Sequence, residues 1–175
     1  MRTRAITFNA PRELALTSLA LTAPADGDVA VDVAFAGVSA GTERLLWSGE
    51  MPFFPGLSYP LVPGYEAVGR VASKGDLQGR PVFVPGANCY EGARGLFGAT
   101  AERVVVPRSR LVPVPESLCG TAAGADALPV DAVLLALAAT AQHAIAPLVA
   151  DSSAAGLTSE TAVLVIGHGA LGQLV

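Results

Sequence analysis

The chain has 175 residues, 51% hydrophobic and 15% charged, with a formal net charge of −4. That length admits one domain and a little more, with enough apolar residues for a sizeable core. An acidic chain without a basic run excludes the electrostatic footprint of a nucleic-acid binder. The opening MRTRAITFNAPREL lacks the long apolar core of a secretory signal. Cys89 and Cys119 show no C-x-x-C spacing, so both are read as reduced thiols of a cytoplasmic protein.

Residues 1 to about 115 read as short strands punctuated by glycine and proline. RAITF and ELALTSLAL come first. In DVAVDVAFAGV, Val29, Val31, Val33 and Phe35 alternate with Asp28 and Asp32, which is the period of a half-buried strand. WSGEMPFFPGLSY holds the single Trp47 with Phe53, Phe54 and Tyr59 among prolines. It is read as an irregular aromatic loop, either closing one end of a barrel or lying against a flat ligand. AVGRVA, PVFVP, AERVVVP and RLVPV are further strands, and ADGD, KGDLQG and PGAN are turns. Many short strands with such turns predict a small β-barrel or sandwich.

The pattern then changes. SLCGTAAGADALP is read as a loop, and VDAVLLALAATAQHAIA as a helix with Asp131 in its first turn and an end before Pro147. Asp131, Gln142, His143 and Pro147 interrupt the apolar stretch 127–150, so a buried helix is expected and not a membrane span. DSSAAGLTSE is a polar connection. The run Val163, Leu164, Val165, Ile166 suits a strand buried on both faces of a parallel sheet.

Gly167, Gly169 and Gly172 follow in a G-x-G-x-x-G arrangement, with His168 inside it. In a dinucleotide site the first glycine makes the tight turn and the second admits the pyrophosphate. The third lets helix and strand approach. A helix should follow, with its N-terminal amides toward phosphate. The tail thus reads as the first strand of a cofactor domain cut away, and the chain alone is expected to be inactive. The expected division is 1–125 for the substrate domain, 126–160 for a helix and linker, and 161–175 for the start of the cofactor domain.

GVSAGTE, YPLVPGYEAVGRV, GRPVFVPG, AERVVVP and VLVIGHGALG, in that order, resemble the medium-chain dehydrogenase/reductase superfamily, the zinc-type alcohol dehydrogenases. The resemblance implies a mainly β fold with some α: a GroES-like catalytic barrel, then a truncated first β–α unit of a Rossmann domain. The family's zinc ligands would fall at Ala40, Tyr65 and about Ala136. None of these supplies a thiolate or imidazole, and a catalytic zinc needs roughly three protein ligands, so no metal is expected.

In place of zinc, Thr42 matches the family's proton-relay hydroxyl, and Tyr65 should face the same pocket. Glu43 and Glu66 match acidic positions and either orient neighbours or serve as structural acceptors. His143 is either a relay or a helix-surface residue. Thr140 matches a residue that touches nicotinamide, and His168 either contacts phosphate or points to solvent.

Within the superfamily, GTERLLWSGEMPFFPGLSYPLVPGYEAVGRV, VFVPGANCYEGARGLFGATAERVVVP and LLALAATAQHAI are similar to a branch that oxidises the 3-(1-hydroxyethyl) group of a bacteriochlorophyllide to 3-acetyl with NAD. That implies a chlorin substrate lying against Trp47, Phe53, Phe54 and Tyr59. Two alternatives stay open: a zinc-free quinone or enoyl reductase, and a non-catalytic module binding a pigment or protein. The apolar strand 163–166 without its sheet invites pairing between chains, so a homodimer is expected.

Overall fold

The computed structural model describes residues 1–119, 128–150, 162 and 164–175. It forms two compact units, Met1–Val133 and Leu134–Val175. The first holds ten strands in two five-stranded sheets. One sheet has the order β7-β2-β1-β4-β8 and the other β10-β6-β5-β3-β9. The long strands are β1 (Arg2–Ala10), β2 (Glu13–Leu21), β3 (Asp28–Ala36), β5 (Ala67–Val71), β6 (Pro81–Val84) and β9 (Arg103–Pro107). The short ones are β4 (Leu61–Val62), β7 (Tyr90–Glu91), β8 (Arg94–Gly95) and β10 (Val112–Pro113).

Residues 99–103 seam the two sheets. Ala101 bridges to Ala5 of β1. The amide of Ile6 donates to the carbonyl of Thr100 at 3.0 Å and that of Val33 to Glu102 at 2.8 Å. One segment thus pairs with the first sheet and then enters the second as β9, which makes the sandwich a nearly closed barrel. Inside lie Val31, Val62, Val82, Val84, Val104 and Val106, each almost without solvent contact. β-Branched valine suits these positions because it packs on a pleated surface and loses little rotamer freedom there.

β3 departs from simple alternation. Val33 opposes Gly69 and Phe35 opposes Val68, so a bulge falls between Val33 and Phe35. A bulge re-aims the strand beyond it. Phe35, expected on the core face, is therefore 39% exposed while Val31 is fully buried.

One element differs from the aromatic loop expected of residues 47–59. Thr42–Ser48 form a short helix, α1, that carries Trp47 and ends on Gly49 in a left-handed conformation (φ 79°), as glycine allows after a helix. Only the residues beyond it are irregular. A second apolar cluster of Phe8, Leu46 and Leu61, with Leu57 and Tyr59 against it, anchors this region.

The second unit is described by itself. A 3-10 turn, Val130–Leu134, leads into the helix α2, Leu135–Ala150, which contains Pro147. The helix was expected to end before that proline. It continues because Pro147 removes one backbone donor, and the partner it frees belongs to His143, an exposed position that water can reach. The segment Val130–Pro147 is long and apolar enough to cross a membrane, by length and composition only, and 11% of it is buried. A buried helix was expected. Among the described residues of this unit only the five-residue helix Ala170–Leu174 lies against α2, so apolar neighbours are few.

The strand expected at 163–166 is not formed among the described residues 164–166. Leu164 is 83% exposed and Ile166 92%. A strand is stable only when its amides and carbonyls find a ladder, and no described strand lies in this unit. The polar connection 151–160, Val163 and the loop residues 120–127 lie outside the described residues.

Candidate active site

The end of β3 pairs with the start of β5, Ala36 opposite Ala67. The segment leaving β3 (37–41) and the one entering β5 (63–66) therefore run side by side at one end of the second sheet. The Gly37 amide donates to the Glu66 carbonyl at 2.6 Å. A side chain at 37 would collide with Glu66, because a Cβ there would lie 2.7 Å from Glu66 Oε2. Just beyond, α1 starts over this floor. The amide of Glu43 donates to the Ser39 carbonyl at 3.1 Å, and Ser39 Oγ accepts from the Thr42 amide at 3.5 Å.

Glu43 and Glu66 come close enough for the charge of one to act on the other, and Thr42 and Tyr65 are their neighbours in the chain. Both glutamates are buried, Glu43 7% and Glu66 4% exposed. Glu43 Oε2 and Glu66 Oε1 have no hydrogen-bond partner. Burial pushes the Glu43 carboxyl above the usual range, backbone hydrogen bonds draw it partly back, and the charge of Glu66 raises it again. Burial likewise raises Glu66. A buried carboxylate without a donor is costly, and the neutral acid is favoured.

Thr42 and Tyr65, which precede the two acids in the chain, are each partly buried. The ring of Tyr65 meets the ring of Phe97 edge to face, with centroids 5.4 Å apart at 68°. Phe97 was not singled out from the sequence. Its backbone sits at φ 63°, uncommon for a bulky residue. The flanking glycines explain how it is held. A Cβ on Gly86 would lie 2.5 Å from the Phe97 carbonyl oxygen, and one on Gly98 2.1 Å from that of Ala87. The glycines of PGAN and GLFG were the available signal, because close backbone approach requires glycine. Gly64 serves Tyr65 in the same way: its φ is 99° and a Cβ there would meet Thr100 Oγ1 at 2.1 Å.

The aromatic candidates take separate places. Phe53 is 84% exposed and Trp47 40%, and Phe54 is half-buried. The Tyr59 hydroxyl donates to the Leu46 carbonyl and its ring packs on the second apolar cluster, so its polar group is already engaged.

In the second unit, His143 is exposed on α2. The Thr140 hydroxyl donates to the carbonyl of Ala136 at 2.9 Å, the back-bond common for threonine inside a helix. The glycine turn has the geometry that its spacing predicts. Gly167 is at φ 109°. A Cβ on Gly172 would lie 2.1 Å from the Gly167 carbonyl oxygen, whereas one on Gly169 would meet nothing within 4 Å. Gly169 thus faces open space where a phosphate needs room, and the residues fit a dinucleotide. The Gln173 side chain donates to the His168 carbonyl at 3.3 Å, which ties the turn to its helix.

Zinc does not fit. Ala40, Tyr65 and Ala136 offer no thiolate or imidazole, and among the described residues no three His, Cys, Asp or Glu side chains come together.

Residues 25–116 match the alcohol dehydrogenase GroES-like domain. The chain belongs to this family. Two curated relatives span it completely, both called 2-desacetyl-2-hydroxyethyl bacteriochlorophyllide A dehydrogenase. The one from Cereibacter sphaeroides is 43% identical and the one from Rhodobacter capsulatus 41%. The chain covers 52% and 51% of their lengths, so it spans about half of each. Among solved structures, an alcohol dehydrogenase from Escherichia coli complexed with NADH superposes with a TM-score of 0.60 at 21% identity. That superposition covers 82% of this chain and 45% of the other. At that identity the superposition shows a shared fold alone.

Proposed function

We propose that this chain is the substrate half, and the first turn of the cofactor half, of a zinc-independent dehydrogenase. The reaction would oxidise the 3-(1-hydroxyethyl) group of a bacteriochlorophyllide to 3-acetyl with NAD. The observation that carries this reading is the 43% identity, over the whole of this chain, to a relative named for that dehydrogenation. The open Gly169 face and the positive φ of Gly167 support a nicotinamide dinucleotide, and the NADH complex of the same fold agrees with it.

Gly167, Gly169 and Gly172 would hold NAD, which would supply a hydride acceptor for the carbinol carbon. Everything else falls to the chain's own groups. Tyr65 and Thr42 supply hydroxyls, one of which holds the substrate oxygen and takes its proton. Phe97 fixes the plane of the Tyr65 ring. Glu43 and Glu66, pushed toward the neutral acid by burial, supply protons or acceptors to this region. The exposed ring of Phe53 is apolar area for a flat macrocycle. A cytoplasmic location and a homodimer through exposed Leu164 and Ile166 belong to the same reading.

The test is the full-length protein with a 3-hydroxyethyl chlorin and NAD, followed by NADH absorbance and metal analysis. Formation of the 3-acetyl product without stoichiometric zinc is expected. Reduction of quinones or enones with no chlorin oxidation would replace this reading with the reductase one.

A further inference from the structure

A polar cleft of about 410 Å³ opens on the barrel, lined among others by Thr22, Ser58, Asn88, Tyr90 and Arg94. No carboxylate lines it, although the chain as a whole carries a net charge of −4. Its one cation is Arg94. The guanidinium is anchored rather than free-swinging: Nε donates to the Gly56 carbonyl at 3.2 Å, and the Arg94 amide donates to the Pro60 carbonyl at 2.8 Å. Among the described residues Arg94 forms no ion pair; the three pairs present use Arg4, Arg103 and Arg108. Asn88 accepts from the Gly95 amide through Oδ1 at 3.1 Å, which directs its remaining amide hydrogens elsewhere. The Tyr90 hydroxyl is engaged, donating to the Gly98 carbonyl, so the guanidinium carries the recognition: held in place beside an amide side chain, it is a receptor for a carboxylate.

The cleft also lies at a useful distance from the candidate site. Arg94 and Gly95 form β8, paired in parallel with Leu61 and Val62 of β4. β4 runs on to Tyr65, and β8 runs on to Phe97. Three residues separate Arg94 from Phe97, so their backbones are at most ~10 Å apart, on the scale of one tetrapyrrole ring. A bacteriochlorophyllide is a free acid: its propionate side chain ends in a carboxylate.

We propose that the Arg94 cleft takes this propionate carboxylate and so sets the orientation in which the hydroxyethyl group meets Tyr65. The proposal rests on the dehydrogenase reading for the identity of the carboxylate, and on the cleft itself for the site.

The test is equilibrium binding, by fluorescence, of a 3-hydroxyethyl chlorin with a free propionate and of its propionate methyl ester to the 175-residue chain. The unmodified chain should bind the acid about tenfold tighter than the ester, the scale of one charge-assisted hydrogen bond. Arg94→Met should bind the acid about tenfold more weakly and lose the preference, and Arg94→Lys should keep part of it. A thermal unfolding curve on each variant separates this from loss of the Gly56 contact. Equal binding of acid and ester by the unmodified chain, no binding of either, or an undiminished preference in a folded Arg94→Met would overturn the proposal. Turnover by the full-length protein distinguishes the two readings. Turnover of acid and ester with the same KM removes the contact and leaves the dehydrogenase. An acid preference in binding with no oxidation of either chlorin removes the reaction and leaves the carboxylate site.

Discussion

Glu43 and Glu66 each bury a carboxylate oxygen that no hydrogen bond satisfies, and the charge of Glu66 raises the pKa of Glu43. The two residues come from separate segments, the start of α1 and the approach to β5, held together by the Gly37–Glu66 backbone bond. Two like charges in a dry place oppose each other and the fold, so the pair resists holding two negative charges at once.

The stability of the protein should follow this. Both carboxyls are raised from the ordinary value of 4.5, so the native state binds protons more tightly than the unfolded chain. Below pH 4.5 both states are protonated and no penalty applies. As pH rises through the raised native values the penalty appears in full, and stability falls. Glu66→Gln removes one charge and supplies a donor for Glu43. It should gain stability at pH 7, with the gain vanishing below pH 4.5 in urea unfolding. A loss of stability at pH 7 would mean that an outside cation neutralises the pair.

The two hydroxyls can be separated kinetically in the full-length protein. Tyr65→Phe should lower kcat on the order of 10²-fold with little change in NAD affinity, because it removes a proton-handling group and no cofactor contact. Tyr59→Phe should leave kcat alone and lower thermal stability, since its hydroxyl bonds Leu46 inside the fold. A silent Tyr65→Phe beside an inactive Thr42→Val would transfer the proton step to Thr42.

The glycine turn offers a second contrast. Gly169→Ala adds a methyl into open space, so the fold should be unaffected while NAD binding weakens roughly tenfold or more, because the methyl occupies the room for pyrophosphate. Gly172→Ala collides with the Gly167 carbonyl at 2.1 Å and should disturb the turn itself. Isothermal titration with NAD, alongside circular dichroism, tells the two apart. Undiminished NAD binding in Gly169→Ala would place the cofactor elsewhere.

Gly64→Ala tests how Tyr65 is held. The position combines φ 99° with a contact of 2.1 Å to Thr100, so an alanine is strained twice over. A loss of about 2 kcal/mol or more in unfolding free energy is expected. A neutral result would show that this turn relaxes freely and does not fix Tyr65.

Much of the barrel was legible in the sequence, because strand patterning is a local property. The valine alternation of residues 28–33 and the runs at 81–84 and 103–107 declare which faces seek the core wherever they sit in space. The glycines at 167 and 172 declare a tight turn for the same reason: positive φ and close approach are demands on one residue. The tertiary structure decided what depends on partners distant in the chain. The bulge that turns Phe35 outward arises where β3 meets β5. Phe97 acquires its place only when Gly86 and Gly98 close around it. The apolar run at 164–166 shows the converse. Its composition asks for a strand, but a strand exists only where a neighbouring ladder satisfies its backbone, and the described residues of its unit provide none.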